Sequence, residues 1–458
     1  MTLEETVSDR IDNGNIGPER FRMIIFCLFL AAVDGYDLAS MALALPLLAK
    51  DWNIAAGAFG AALAAVMVGV AVGSTMLAWL GDRLGRKPVL IVSTFGIGLL
   101  TLATMAVDDL TLLTICRFLL GICFGAGMPN LYSFVADIVP SRNRIFCMTL
   151  LTSAASIGGI FGGLVAPILS ERYGWQGIFL PGGLIPLAIA LLMFVLLSES
   201  PRVLAARGRL RELGAVLDRF GIDSTGLHES SAEKKVGGGG PTALLRDGLW
   251  PVTLFYLLGW ICTGFVYHLL AQWLPTLMTD VGWESGAAQR SVSFVYGGCL
   301  VGGLALSWVM DRWQRGGVLV PALAFGAGTV MLAGLSFWLA SPLIHLFLLG
   351  IGLAAGGAQY IQPAVAAYVF PLNLLTIAYG WLTAFSRIGS VGGPLLVGWM
   401  LLAGWSGTHI LMVYALIGMF GTISFVMLAL TVTQRKKQSL RAQSNTPPDP
   451  SLCEAGAK

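Results

Sequence analysis

Twelve separate stretches of this chain are apolar for long enough to cross a lipid bilayer, and that pattern leaves few folds open. They run over 23–48, 57–80, 88–107, 111–135, 146–170, 176–198, 249–274, 291–310, 318–339, 342–369, 374–402 and 408–432. A span needs about 20 predominantly apolar residues. Lipid offers no partner to backbone N–H and C=O groups, so each stretch is predicted to be a helix. The expected fold class is all-α and integral to a membrane. Composition agrees: of 458 residues, 56% are hydrophobic and 12% charged, against about 25% charged in a soluble domain. The spans and their loops use nearly the whole length, leaving no room for a large catalytic domain. Residues 1–20 are polar and mixed in charge, without the apolar core of a secretory signal, so the first span is expected to be retained.

Charge placement predicts the topology, because Lys and Arg in short loops collect on the cytoplasmic side. Of 28 basic residues, 23 fall at the N-terminus, in the even-numbered connections and in the tail, while only Lys50, Arg172 and Arg290 lie on the other side. Both termini are therefore expected in the cytoplasm. A net charge of +3 argues against nucleic acid as a partner. The seven cysteines stand apart, with no CxxC pair and no histidine spaced to complete a metal site. No metal or other cofactor is expected.

The one long polar interval, 199–248, contains RGRLRELGAVLDRF, read as a short amphipathic helix, and SSAEKKVGGGGP, read as a flexible linker. It divides the chain into a cytoplasmic segment 1–22, a six-helix half 23–198, the central loop, a second six-helix half 249–432 and a cytoplasmic tail 433–458. A faint echo, GDRLGRK at 81–87 and MDRWQRG at 310–316, suggests duplication. Halves related in this way place a substrate site between them near the bilayer midplane.

Four ionisable residues lie well inside spans: Asp34, Asp37, Arg117 and Arg387. Each costs about 2.5–3.5 kcal/mol at a helix centre on insertion scales, so a function is expected of them. Asp34 and Asp37 are three apart and share roughly one helix face. Two carboxylates in low dielectric repel, which favours a bound proton on one of them. Arg117, in the fourth span, differs from Asp37 in depth by only several Å. We expect Asp37 to pair with Arg117 when charged and protonation to loosen the pair, with simple bracing of the two helices as the alternative.

Arg387 falls at the middle of the eleventh span, and the acidic residues of the second half, Asp280, Glu284 and Asp311, all lie at span ends or in loops. A guanidinium at that depth invites an anion, and its planar fork matches a carboxylate. Arg387 is therefore the expected carboxylate anchor, with pairing to Asp34 as the alternative. Tyr36, His268, Gln272, Trp273, Gln359 and Tyr360 offer the rest of a pocket, by ring stacking and by bonds to a ring hydroxyl. For Trp273 an interfacial belt position is the competing reading, and for His268 helix packing.

The block Gly81, Asp82, Arg83, Gly85, Arg86 and Lys87 resembles the signature of the major facilitator superfamily. Its local sense is a close helix approach at Gly81, an acidic group at Asp82 placed to meet a helix N-terminus or an arginine, and a cationic anchor, together a conformational latch. The second-half copy lacks the GRK and departs from the pattern. SESPRVLAARGR at 198–209 and RFLLGICFGAG at 117–127 resemble other members of that superfamily. DGYD at 34–37 together with RIGSVGGP at 387–394 resembles the aromatic acid:proton symporters within it. The resemblance implies a two-halved, alternating-access importer of a benzoate-type carboxylate with protons. It further implies a bacterial inner membrane, with a monomer expected as the working unit. A porter for another organic anion or a sugar, or a membrane receptor for aromatic acids, are the alternatives. An enzyme is not expected, because no nucleophile, base and orienting group appear together and no glycine-rich stretch has the context to hold phosphate.

Overall fold

The computed structural model describes residues 3–77, 79–224, 244, 249–313, 317–338, 343–370 and 372–444. The linker predicted at 230–241, the turn at 340–341, Arg315 and the end of the tail lie outside the described residues. Helix α1 (Leu3–Asn13) precedes the first crossing, α2 (Pro18–Asp51). A 3-10 turn at Ala56–Phe59 leads into α3 (Gly60–Met76), followed by the short α4 (Leu80–Leu84), α5 (Arg86–Thr104), α6 (Leu110–Ile138) and α7 (Ser141–Leu196). Two short helices, α8 (Pro201–Ala206) and α9 (Leu210–Arg219), occupy the start of the polar interval. The second half comprises α10 (Trp250–Asp280), α11 (Ser285–Arg312), α12 (Val320–Trp338), α13 (Ile344–Ile351), α14 (Gly357–Tyr360), α15 (Gln362–Val369), α16 (Leu372–Leu402) and α17 (Gly407–Ser444).

Among the described residues ten helices are long and apolar enough to cross a bilayer, and an eleventh crossing is built from Ile344–Tyr360 and Gln362–Val369, bent by 46°. The bend has a local cause: a π-helical turn at Gly352–Gly356 and Pro363 in the first turn of α15 interrupt the regular ladder. Helix α7 has 56 residues, roughly 84 Å if straight, against a hydrocarbon core of about 30 Å. Gly174, at φ 66° and ψ −165°, turns the chain back within it, so two expected spans join without a loop. Twelve crossings result. Large apolar side chains stand exposed on the bundle exterior, Leu191, Phe194 and Val195 among them, as lipid solvation allows.

The two halves meet mainly on the side remote from the chain's ends. There Gln289 Nε2 on α11 donates to the Leu43 carbonyl oxygen on α2 at 3.0 Å, and Ser293 Oγ to that of Ile160 on α7 at 2.8 Å. A Cβ on Gly57 would come within 2.5 Å of the Gly398 carbonyl oxygen, so the α3 and α16 backbones lie almost in contact. One apolar core joins both halves on this side and continues through the second half toward its terminal side. A second belongs to the first half alone and lies toward the termini. The amino-terminal segment, polar by composition, joins this second core through Leu3, Val7 and Ile11 of α1. Asp12 then accepts from the Ser141 amide and hydroxyl at the start of α7, at 2.8 and 2.6 Å.

Candidate functional site

The midplane of the first half is built on α2. Its close fit to α7 depends on missing side chains: a Cβ on Gly35 would overlap the Ala155 carbonyl oxygen, and one on Gly158 that of Ala32. This approach seats Asp34 and Asp37 away from lipid, the latter fully buried. Asp37 Oδ1 accepts a 2.6 Å hydrogen bond from Thr101 Oγ1 on α5, and Asp37 Oδ2 faces Arg117 Nη1 on α6 at 4.0 Å. The pair is electrostatic rather than hydrogen-bonded: Asp37 Oδ2 and Arg117 Nε and Nη2 have no hydrogen-bond partner among the described residues. The guanidinium instead lies 4.8 Å from the centre of the Phe179 ring. Such a contact, short of its full hydrogen bonds, leaves two buried charges under-compensated, so a proton on Asp37 changes its energy substantially.

Asp34 sits one turn along α2 with Oδ1 unpartnered, and it forms no ion pair among the described residues. The alternative pairing with Arg387 is therefore not made in this arrangement. Tyr36 is committed within the first half. Its hydroxyl donates to the Ile178 carbonyl oxygen at 2.8 Å and its ring packs toward Phe161.

Across the bundle, Arg387 on α16 is half-buried, two residues before Gly389, whose backbone packs against Gly264 of α10, one turn before His268. His268 Nδ1 is 2.8 Å from the Gly264 carbonyl oxygen, which fixes the ring. One turn on, Gln272 is buried with Oε1 unpartnered. Trp273 is 0% exposed, so the interfacial-belt reading does not hold: the indole lies in the core, its Nε1 without a partner. Gln359 accepts from Thr263 Oγ1 at 2.6 Å, and the Tyr360 hydroxyl reaches Ser156 of the first half at 2.7 Å. His268 and Tyr360 thus approach each other through the ring of Tyr267 between them, with Arg387 on the helix packed beside α10, whereas Tyr36 turns to its own half.

The predicted latch residues cluster at the terminal side of the first half. Gly85 takes φ 108° between α4 and α5, a conformation that favours glycine, and a Cβ on Gly81 would overlap Asn130. Arg86 contacts exposed Asp82 at 3.5 Å, but its closer partner is buried Asp137 on α6, at 2.6 Å from Nε. Ser200 Oγ donates to the same carboxylate at 2.6 Å and Arg202 lies 3.7 Å from it. Glu199 Oε1 accepts from the Arg86 and Lys87 amides at 2.9 and 3.2 Å, capping α5. Arg83 stacks on Trp79, and Lys87 Nζ donates to the Phe194 carbonyl oxygen at 3.0 Å.

Thr101, Asp137 and Glu199 are absent from the sequence-derived set. Asp137 reads as an ordinary charge at a span end and Thr101 as one polar residue among many. Glu199 belongs to the SESPR block, whose sequence carries a resemblance but does not reveal which helix it caps.

Twelve apolar crossings in two halves, with charges buried at the centre, define a membrane transporter rather than an enzyme. The family described as Major Facilitator Superfamily matches residues 25–380. The chain is 32% identical to a gallate transporter of Pseudomonas putida over 87% of its own length and 89% of the relative's. To a 4-hydroxybenzoate transporter of Acinetobacter baylyi it is 30% identical, over 88% and 89%. A solved D-xylose–proton symporter superposes with a TM-score of 0.67 at 18% identity, over 89% of this chain and 97% of that one. An inward-facing bacterial homologue of the human lysosomal transporter Spinster does so with 0.68 at 14%, over 91% and 98%. The chain belongs to the Major Facilitator Superfamily.

Proposed function

We propose that the protein imports an aromatic carboxylate of the benzoate or hydroxybenzoate type together with protons, by alternating access. The observation that carries the reading is the arrangement of buried and half-buried charge inside the spans: an under-compensated Asp37–Arg117 contact in one half and a half-buried cation, Arg387 on α16, in the other. The first is suited to take up and release a proton and the second to hold a carboxylate. The names of the relatives, carriers of gallate and 4-hydroxybenzoate, support the substrate class.

With Asp34, Asp37 and Arg117 as the coupling group, proton occupancy biases the equilibrium between the two arrangements of the halves, and the carboxylate at Arg387 biases the same equilibrium. The closed side is remote from the termini. Positive-inside sorting assigns the termini to the cytoplasm, so this is the arrangement open inward. The Gly81–Lys87 block with Asp137 and Glu199 ties α5, α6 and the end of α7 into one body that moves as a unit. A monomer in a bacterial inner membrane completes the reading.

The test is uptake of labelled 4-hydroxybenzoate and gallate into proteoliposomes with an alkaline interior. Concentrative uptake that a protonophore abolishes, and that benzoate-type acids but not xylose compete, is expected. Uptake competed by sugars, or binding without flux, would replace the reading with the sugar porter or the receptor.

A further inference from the structure

Four hydroxyl groups from three crossings of the second half and one of the first converge near the centre of the bundle. Ser156 lies near the middle of the first arm of α7, Tyr267 on α10, Tyr296 on α11 and Tyr360 at the end of α14. Ser156 Oγ and the Tyr360 hydroxyl are 2.7 Å apart and join the two halves. The Tyr267 and Tyr360 rings lie 6.1 Å apart, and the Tyr267 hydroxyl faces those of both Tyr296 and Tyr360. Tyr296 packs where Gly159 of the first half has no side chain, at 2.6 Å from where its Cβ would be. Although Tyr296 is only 3% exposed, its hydroxyl makes no hydrogen bond of ordinary length among the described residues. Each phenol or alcohol oxygen can donate once and accept twice, so this cluster has capacity that the protein itself does not fill.

The cluster continues into the expected anchor. Tyr267 meets the His268 ring edge-on at 5.2 Å, and α16, which carries Arg387, packs against α10 at Gly389 and at Gly393, where a Cβ would lie 3.5 Å from that of His268. A cation, an imidazole and a group of hydroxyls thus follow one another in space. A planar acid with its carboxylate toward Arg387 would turn the far edge of its ring toward the hydroxyls.

We propose that Ser156, Tyr267, Tyr296 and Tyr360 form the subsite that reads meta and para hydroxyl groups on the ring of the transported acid. The inference rests on the aromatic-acid reading above and deepens it. A ring hydroxyl at either position gives Tyr296 the hydrogen bond of ordinary length that Tyr267, facing it, does not make. An ortho hydroxyl stays beside the carboxylate and does not reach the cluster. A site built to bond a substrate hydroxyl discriminates against the analogue without it.

The experiment is competition against uptake of labelled 4-hydroxybenzoate by benzoate and by 2-, 3- and 4-hydroxybenzoate, for the wild type, Tyr296→Phe and Ser156→Ala. The wild type is expected to prefer the 3- and 4-hydroxy acids about tenfold over benzoate and 2-hydroxybenzoate, roughly the worth of one good hydrogen bond. In the variants that preference shrinks to about twofold. An unchanged preference overturns the subsite. So does equal weakening of all four acids, which would make the cluster a tie between the halves only. If Tyr296→Phe is not recovered in the membrane, Ser156→Ala decides alone, since it removes a single oxygen. A wild type that transports none of the four acids overturns the aromatic-acid reading itself, a result distinct from transport without preference.

Discussion

Arg117 and Asp37 face each other across 4.0 Å in the middle of the first half, both out of contact with solvent, without a hydrogen bond between them. Asp37 is held instead by Thr101 at 2.6 Å. Replacing Asp37 with Asn keeps an oxygen for Thr101 and removes both the charge and the titrating site. Accumulation driven by a pH gradient is expected to fall by about 100-fold, the scale of a lost buried charge contact, while exchange of labelled for unlabelled acid continues. Paired measurements of uptake and exchange in proteoliposomes check this, and unimpaired accumulation would remove Asp37 from the coupling group.

Arg387→Lys retains a positive charge but loses the planar fork. The half-saturating concentration of the carboxylate is expected to rise about tenfold or more, because a bidentate contact becomes a single one. Uptake as a function of acid concentration gives the answer. An unchanged value would mean that the carboxylate is held elsewhere.

Gly158→Ala tests the packing that seats the two aspartates. The new methyl group would overlap the Ala32 carbonyl oxygen, and backbone cannot swing aside as a flexible side chain can. A loss of about 1–3 kcal/mol is expected from such overpacking, read as a lower unfolding temperature in detergent. Stability equal to wild type would show that α2 and α7 separate at low cost.

Asp12 predicts a pH effect at the terminal side. Burial by itself would raise its carboxyl, but the Ser141 hydroxyl and amide and the Arg144 and Arg202 guanidinium groups together hold it below the ordinary aspartate value. A lowered value in the folded state means that Asp12 adds stability above the unfolded value. That contribution is lost as pH falls through the folded one. Helix α1 should therefore stay docked at neutral pH and loosen in acid, and Asp12→Asn should loosen it at pH 7. Hydrogen exchange of residues 3–13 follows the change, and equal protection in wild type and Asp12→Asn would contradict it.

The number of crossings, the division into halves and the four charges inside spans were legible in the sequence. Each is a property of a single segment, set by how lipid treats apolar and ionised groups. The spacing of Asp34 and Asp37 already placed both carboxylates on one helix face, and the depth of Arg117 brought it within reach of Asp37. What stood beyond the sequence was every relation requiring a third element. Thr101 comes to Asp37 from α5, Asp137 captures Arg86 more closely than Asp82 does, and Glu199 caps a helix 112 and 113 residues earlier. Ser156 meets Tyr360 across 204 residues. Helix periodicity says which face a residue occupies and hydropathy says how deep it lies. Only the packing of backbone against backbone, at Gly35 and Gly158 and between Gly57 and Gly398, decides which faces meet.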